Sequence, residues 1–238
     1  MPRPRIVFVD GLPGSGKSTA AQDIGRRCLD SRVFLESHPS HPLLVGVPDE
    51  KGAAFAHIHD VHSAASFAAA ALERLNAFLG SADVGGVYVF ESHPFQSTVR
   101  VLMQLDAPEP MLMKFWSDLQ DRLKSAEVRL LYFHEKDPQQ AFADIMHVRG
   151  VAWKNYVVDA FSHYPWTKAQ GLSGVQGVLK VIDQYSMLMD RLIVSWQFDA
   201  LILPARPASY AERTEAFLRW LASPTSARGN ALPRRDPA

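Results

Sequence analysis

The 238-residue sequence contains one cysteine, Cys28. A single thiol excludes an internal disulfide and leaves a thiolate zinc site without its ligands. Cys28 falls where a first helix should end and reads as packing. Neither sign of charge is in excess, with 25 Lys plus Arg against 25 Asp plus Glu. No global field therefore favours nucleic acid or a membrane surface. There is no run of eighteen apolar residues, so no membrane span is expected. Met1-Pro2-Arg3-Pro4-Arg5 leads into an apolar strand pattern without the apolar stretch of a signal peptide, which makes the cytoplasm the expected compartment. A Gly-x-Ser-x-Gly nucleophile elbow is missing. So is an Asn-Lys-x-Asp guanine-reading segment; the nearest basic run, Trp153-Lys154-Asn155, has the order reversed. What remains is an ordinary globular composition suited to a small neutral or anionic ligand.

Five short apolar runs punctuate the chain: Ile6–Val9, Val33–Leu35, Val87–Phe90, Leu130–Phe133 and Leu201–Leu203. Each is rich in β-branched or aromatic residues and too short for a helix, which predicts buried parallel strands. Between them the apolar spacing is near 3.6. It predicts helices over Lys17–Leu29, Val61–Leu79, Ser97–Leu105, Pro110–Leu123, Pro138–Val148, Val178–Trp196 and Ser209–Leu221. Strands alternating with helices argue for one doubly wound α/β domain over residues 1–222. Ser223–Ala238, rich in Pro, Arg and Ser and without periodicity, reads as a disordered tail.

Gly11-Leu12-Pro13-Gly14-Ser15-Gly16-Lys17-Ser18, followed by Thr19, fits G-x-x-x-x-G-K-[ST]. Four fixed positions arise by chance in a chain this long on the order of one percent of the time. The preceding strand and following helix are the context the motif's mechanism demands. Glycines allow successive N–H groups to aim into one concavity, and the helix start adds its positive dipole end. Lys17 should reach the β- and γ-phosphates and Ser18 should ligate Mg²⁺, so ATP and Mg²⁺ are the expected cofactors.

Two strands end in the same tetrapeptide, Glu36-Ser37-His38-Pro39 and Glu91-Ser92-His93-Pro94. Both acids should stand at the carboxyl edge of the sheet, where open α/β sheets bind ligands. Apolar residues closed by Glu91 resemble a Walker B element. Two such carboxylates near each other should raise at least one pKa. His57-x-His59-Asp60-Val61-His62 is a near miss to a zinc pattern and reads as a polar helix start.

With these segments the chain resembles the thymidylate kinase and deoxynucleoside kinase group of P-loop kinases, in element order and length from about Arg5 to Leu221. The resemblance implies a three-layer P-loop fold: a five-stranded parallel sheet in the order 2-3-1-4-5, helices on both faces, and a helical lid at about 138–175. It implies an ATP-dependent phosphotransferase with a small-molecule acceptor; a homodimer is compatible with it. In that group an acid after the second strand approaches the acceptor hydroxyl, and Glu36 matches it. Glu91 matches the acid after the third strand, placed beside Ser18 and the Mg²⁺ shell, although Ser92 and His93 stand where the group has an arginine. His38 and His93 are alternative bases. Arg149 is the candidate lid arginine, with Lys154 second, while Arg149-Gly150 fits a helix C-cap equally well. Arg206 falls, by position, at the adenine-contacting loop. Arg149-Gly150-Val151-Ala152-Trp153 is also similar to an Arg-Gly-x-x-Trp segment of bacterial P-loop proteins. A regulatory ATPase or GTPase switch and a nucleotide-binding protein without catalysis remain the alternatives.

Overall fold

The computed structural model describes residues 3–28, 30–46, 63–206 and 209–224. The histidine cluster at 57–62, Leu29 and tail residues 225–238 lie outside the described residues. Five parallel strands, β1 (Arg5–Gly11), β2 (Ser31–Phe34), β3 (Val87–Glu91), β4 (Glu127–His134) and β5 (Asp199–Pro204), form one sheet in the order β2-β3-β1-β4-β5. β1 is central, with Val9 opposite Glu91 of β3 and Gly11 opposite Phe133 of β4. This register brings the end of β3 level with the start of the glycine-rich loop.

Alternation along the strands divides the core in two. Ile6, Phe8, Tyr88, Phe90, Leu130 and Tyr132 face one side. There they pack on α2 (Ala64–Ser81), α3 (Arg100–Gln104), α4 (Glu109–Leu123), α5 (Pro138–Ser162) and α7 (Gly174–Val194). Val7, Val9, Val89, Leu131 and Phe133 face the other, against Ala20, Ala21 and Ile24 of α1 (Lys17–Arg27) and Phe217 of α8 (Tyr210–Ala222). Each face is therefore covered by helices, in three layers. A short α6 (Pro165–Ala169) links α5 to α7.

Two elements depart from the periodicity. The stretch predicted as a helix from Ser97 begins earlier, as a π-helical turn, Phe95–Val99. Its amides reach back five residues, Ser97 N–H to the Ser92 carbonyl at 2.9 Å and Val99 N–H to Pro94 at 3.4 Å. Such wide turns recur at functional sites. The helix predicted to stop near Val148 resumes instead. Gly150 breaks α5 with φ 82° and ψ 177°, and the chain continues helical to Ser162. Only glycine adopts that conformation without strain.

α8 buries one side chain completely, Phe217. Phe217→Ala should lower stability by about 3–5 kcal/mol, through lost transfer energy and the cavity left behind. Urea unfolding of the variant, read by circular dichroism, measures this loss.

Candidate functional site

The loop after β1 is shaped by three glycines with positive φ: Gly11 at 147°, Gly14 at 81° and Gly16 at 96°. At Gly14 the positive φ disfavours any side chain, and a Cβ would also crowd the Ile145 side chain, which would have to shift. Gly16 precedes α1 as a left-handed cap, with no side chain satisfying the helix start. Ala20 is the first residue to donate back into the helix, to the Gly16 carbonyl. The preceding amides are thus left for an anion. Ser15 Oγ is buried without a partner among the described residues. Lys17 is 4% exposed, and its ammonium donates to the Leu12 carbonyl and to Gln96 Oε1, both at 3.0 Å.

Opposite the loop stand the two glutamates. Glu91 Oε1 accepts from Ser18 Oγ at 3.2 Å and from Ser92 Oγ at 2.7 Å, while Oε2 accepts the Glu36 amide at 2.8 Å. The Glu36 carboxylate accepts from Gln96 Nε2 at 2.7 Å and Ser97 Oγ at 3.1 Å. Burial, then the charge of Glu91, raises the Glu36 pKa above the ordinary carboxylate range; Arg100 and Lys17 pull the other way. One carboxamide, Gln96, therefore joins the cradle lysine to Glu36.

What fixes Gln96 is Asp10, the last-but-one residue of β1. Its carboxylate accepts the Gly11 amide at 2.7 Å, the Phe95 amide at 2.7 Å and the Gln96 amide at 3.3 Å. Full burial raises its pKa to about 7, against the opposing effects of Lys17 and those three amides. Neither Asp10 nor Gln96 stands out in the sequence. The signal for Asp10 is an acid inside an apolar strand, directly before the first glycine. For Gln96 there is no local signal, because its role depends on the turn that Asp10 holds.

A cavity of about 560 Å³ lies between these walls, lined by Pro13, Gly14, Gly16 to Thr19, Leu35 to Ser37, Glu91, Gln96, Arg149 and Trp153. Of the residues singled out in the sequence, Lys17, Ser18, Thr19, Glu36, Glu91 and Arg149 thus share one cleft. Arg149 is exposed, its guanidinium 4.7 Å from the Trp153 ring centre. Lys154 and Arg206 are not among the lining residues. Arg206 bridges Glu135 at 3.0 Å and Asp144 at 2.6 Å, tying the end of β5 to α5. His38 is half-buried and its Nδ1 accepts the Ser40 amide. His93 is stacked on His41, ring centres 4.6 Å apart, and does not line the cleft. Among the described residues no group of three or more His, Cys, Asp or Glu could hold a metal, and no helix is long and apolar enough to cross a membrane.

No protein-family description matches the sequence, and no curated protein matches it. Among solved structures, the deoxyadenosine kinase from M. mycoides with bound dATP superimposes over 93% of this chain and 100% of that one, at 11% identity and a TM-score of 0.50. The two share a fold, here a five-stranded parallel sheet in the order β2-β3-β1-β4-β5 between helices. Thymidylate kinase from Candida albicans is similar at 11% identity over 93% of this chain and 92% of that one, with a TM-score of 0.46. The YorR protein from Bacillus subtilis, in complex with phosphorylated GDP, gives 11% over 91% and 95%, with 0.45. These last two scores are too low to bear on the fold. The shared fold accounts for the position of the cleft, and the chemistry rests on the side chains in it.

The stacked histidines behind the cleft carry a pH signature. Burial depresses His93 from 6.5 to about 4, and burial with its imidazole neighbours depresses His41 to about 2. Below pH 6.5 the unfolded chain takes up protons that the folded chain refuses, so stability falls with pH through this window. His93→Phe keeps an aromatic ring against His41 and removes one titrating group. Urea midpoints followed from neutral pH to about pH 4 should decline less steeply in this variant than in the natural chain.

Proposed function

We propose that this chain is an ATP-dependent phosphotransferase that moves a γ-phosphoryl group onto a hydroxyl or phosphate of a small-molecule acceptor. The observation that carries the reading is the Gln96 bridge, 3.0 Å to Lys17 Nζ and 2.7 Å to Glu36. It couples a phosphate-binding cation to a desolvated carboxylate across a single cleft. The reading is supported by Glu36 lining the same cleft as Lys17 and Ser18, where an acceptor could reach it.

The residues fit ATP with Mg²⁺. Uncapped amides at the start of α1 and the Lys17 ammonium suit the phosphates. Ser18 Oγ and Glu91 Oε1, 3.2 Å apart, are paired oxygen donors of the kind a hard divalent cation takes. Bound ATP with its metal supplies the transferable phosphoryl group and spreads the charge that develops on it. Lys17 would leave Gln96 and Leu12 for the phosphate oxygens. Arg149, on the flank of α5, would close over the same charge. Glu36, ionised, would orient the acceptor and take its proton, with Gln96 and Ser97 holding its two oxygens in place. The absence of a guanine-reading segment favours ATP over GTP. The equal numbers of acidic and basic residues support a small acceptor rather than a nucleic acid.

Three substitutions separate these roles. Lys17→Ala should abolish transfer while circular dichroism shows the fold intact; near-normal turnover would rule out the kinase reading. Glu36→Gln should reduce kcat about 10²–10⁴-fold with little change in ATP affinity, since the cradle and metal site stay whole. In the natural chain the acid limb of kcat/KM should sit above the ordinary carboxylate range, and activity should drop as pH falls through it. Glu91→Gln should instead raise the Mg²⁺ concentration needed for half-maximal rate. Radiolabel transfer from γ-labelled ATP to an acceptor panel, with turnover measured in the absence of acceptor, distinguishes a kinase from an ATPase switch.

A further inference from the structure

The phosphate cradle is braced from behind by a helix far away in sequence. Arg213 of α8 donates from Nη1 to the Ser15 carbonyl at 3.3 Å, and from the same nitrogen to the Ala205 carbonyl just beyond β5. Its guanidinium lies 5.5 Å from the Phe133 ring centre and 6.0 Å from that of Tyr210. Ala205 is itself fixed to β4, its amide donating to the His134 carbonyl at 2.7 Å. The arginine is therefore mounted on the sheet and on α8, and the loop rests against it.

We propose that Arg213 is a positioning residue of the phosphate cradle: by holding the Ser15 carbonyl outward, it turns the Gly16 amide into the nest that receives phosphate. The inference rests on the nucleotide-binding reading above. A trans peptide is planar, with its C=O and N–H pointing in opposite directions. Anchoring the carbonyl of the Ser15–Gly16 peptide on the α8 side thus directs its N–H to the opposite side. Gly14 and Gly16, which flank Ser15, have no side chains to settle such a choice, and Gly16, at φ 96°, has wide torsional freedom. The second guanidinium nitrogen lies 3.9 Å from where a Gly16 Cβ would stand, so its positive charge also sits directly behind the anion site. Arg213 touches no reacting atom; it acts through the loop.

Two contacts attach α8 near the loop, which allows bracing to be distinguished from simple docking. The Tyr210 hydroxyl donates to Asp23 of α1, a contact that does not involve the loop backbone. The test is calorimetric titration of ADP into the full chain and its Arg213→Met, Arg213→Lys and Tyr210→Phe variants. Arg213→Met should weaken ADP binding on the order of ten- to hundredfold, the cost of a misdirected donor to a charged acceptor. Arg213→Lys, which can still meet one carbonyl, should recover part of that loss. Tyr210→Phe should bind as the natural chain does, even if its melting temperature falls. Equal ADP affinity in Arg213→Met and the natural chain overturns the proposal; so does a loss in Tyr210→Phe as large as in Arg213→Met. Should Arg213→Met not fold, Arg213→Lys decides the matter, and a loss smaller than about threefold goes against the proposal. A natural chain that fails to bind ADP would bring down the nucleotide reading itself, a result separate from natural chain and variant binding alike.

Discussion

A buried carboxylate, that of Asp10, organises this molecule's cleft. Three backbone amides converge on it from two segments far apart in sequence, Gly11 on one side and Phe95 and Gln96 on the other. Burying a carboxyl group is costly unless hydrogen bonds compensate for the lost water, and here three amides offset part of that cost. The arrangement locks the start of the phosphate loop to the start of the π-helical turn. Once the turn is fixed, Gln96 can face both Lys17 and Glu36, and Ser97 can reach Glu36. Without the Asp10 contacts, the loop and the acid wall would still meet through side chains, Lys17 with Gln96 and Ser18 with Glu91, but the backbone of the turn would lose its anchor on β1. The raised Asp10 pKa, to about 7, is the other side of this geometry: burial disfavours the charged form more than the amides and Lys17 favour it.

Much of this was legible in the sequence, and the reasons differ by element. Strand positions could be read because β-branched runs bounded by polar residues are a local signal, and all five observed strands contain the predicted runs except that Leu35 lies just past β2. The 2-3-1-4-5 strand order was not local; it came from resemblance and is the order observed. The glycine-rich loop was legible because its motif has a fixed spacing. Glu36 and Glu91 could be nominated from their places at strand ends, and their separation across one cleft then followed from β2 lying beside β3. Asp10, Gln96 and Arg213 were not singled out. Each acts through partners dozens or hundreds of residues away, and no periodicity or motif encodes such pairings. The course of α5 past Gly150 was hidden for a different reason: a glycine with positive φ marks a break, but says nothing about whether a helix resumes beyond it.

The electrostatics of the cleft also constrain what it can hold. Asp10, Glu36 and Glu91 contribute up to three negative charges, while Lys17 and the fully buried Arg100 contribute two positive ones within the same network. Arg100 is bonded to the Gln96 carbonyl at 2.9 Å and to Gln104 at 2.7 Å, so it counters the acids from inside the protein without reaching the cavity. A polyphosphate placed on this wall would meet repulsion from Glu91 and Glu36 in a low-dielectric site, where screening is weak. Attraction has to come from the opposite wall: the amides of the glycine loop, the dipole end of α1 and the cations ranged around it. A divalent cation between Ser18 and Glu91 would convert the nearest acid from a repulsive group into a ligand. That leaves Glu36 as the remaining acid facing the cavity, its pKa raised by burial and by the charge of Glu91. A carboxyl group braced by Gln96 and Ser97, and set apart from Lys17 by one side chain, stands where the proposed reading needs it: beside an acceptor, and away from a metal held between Ser18 and Glu91.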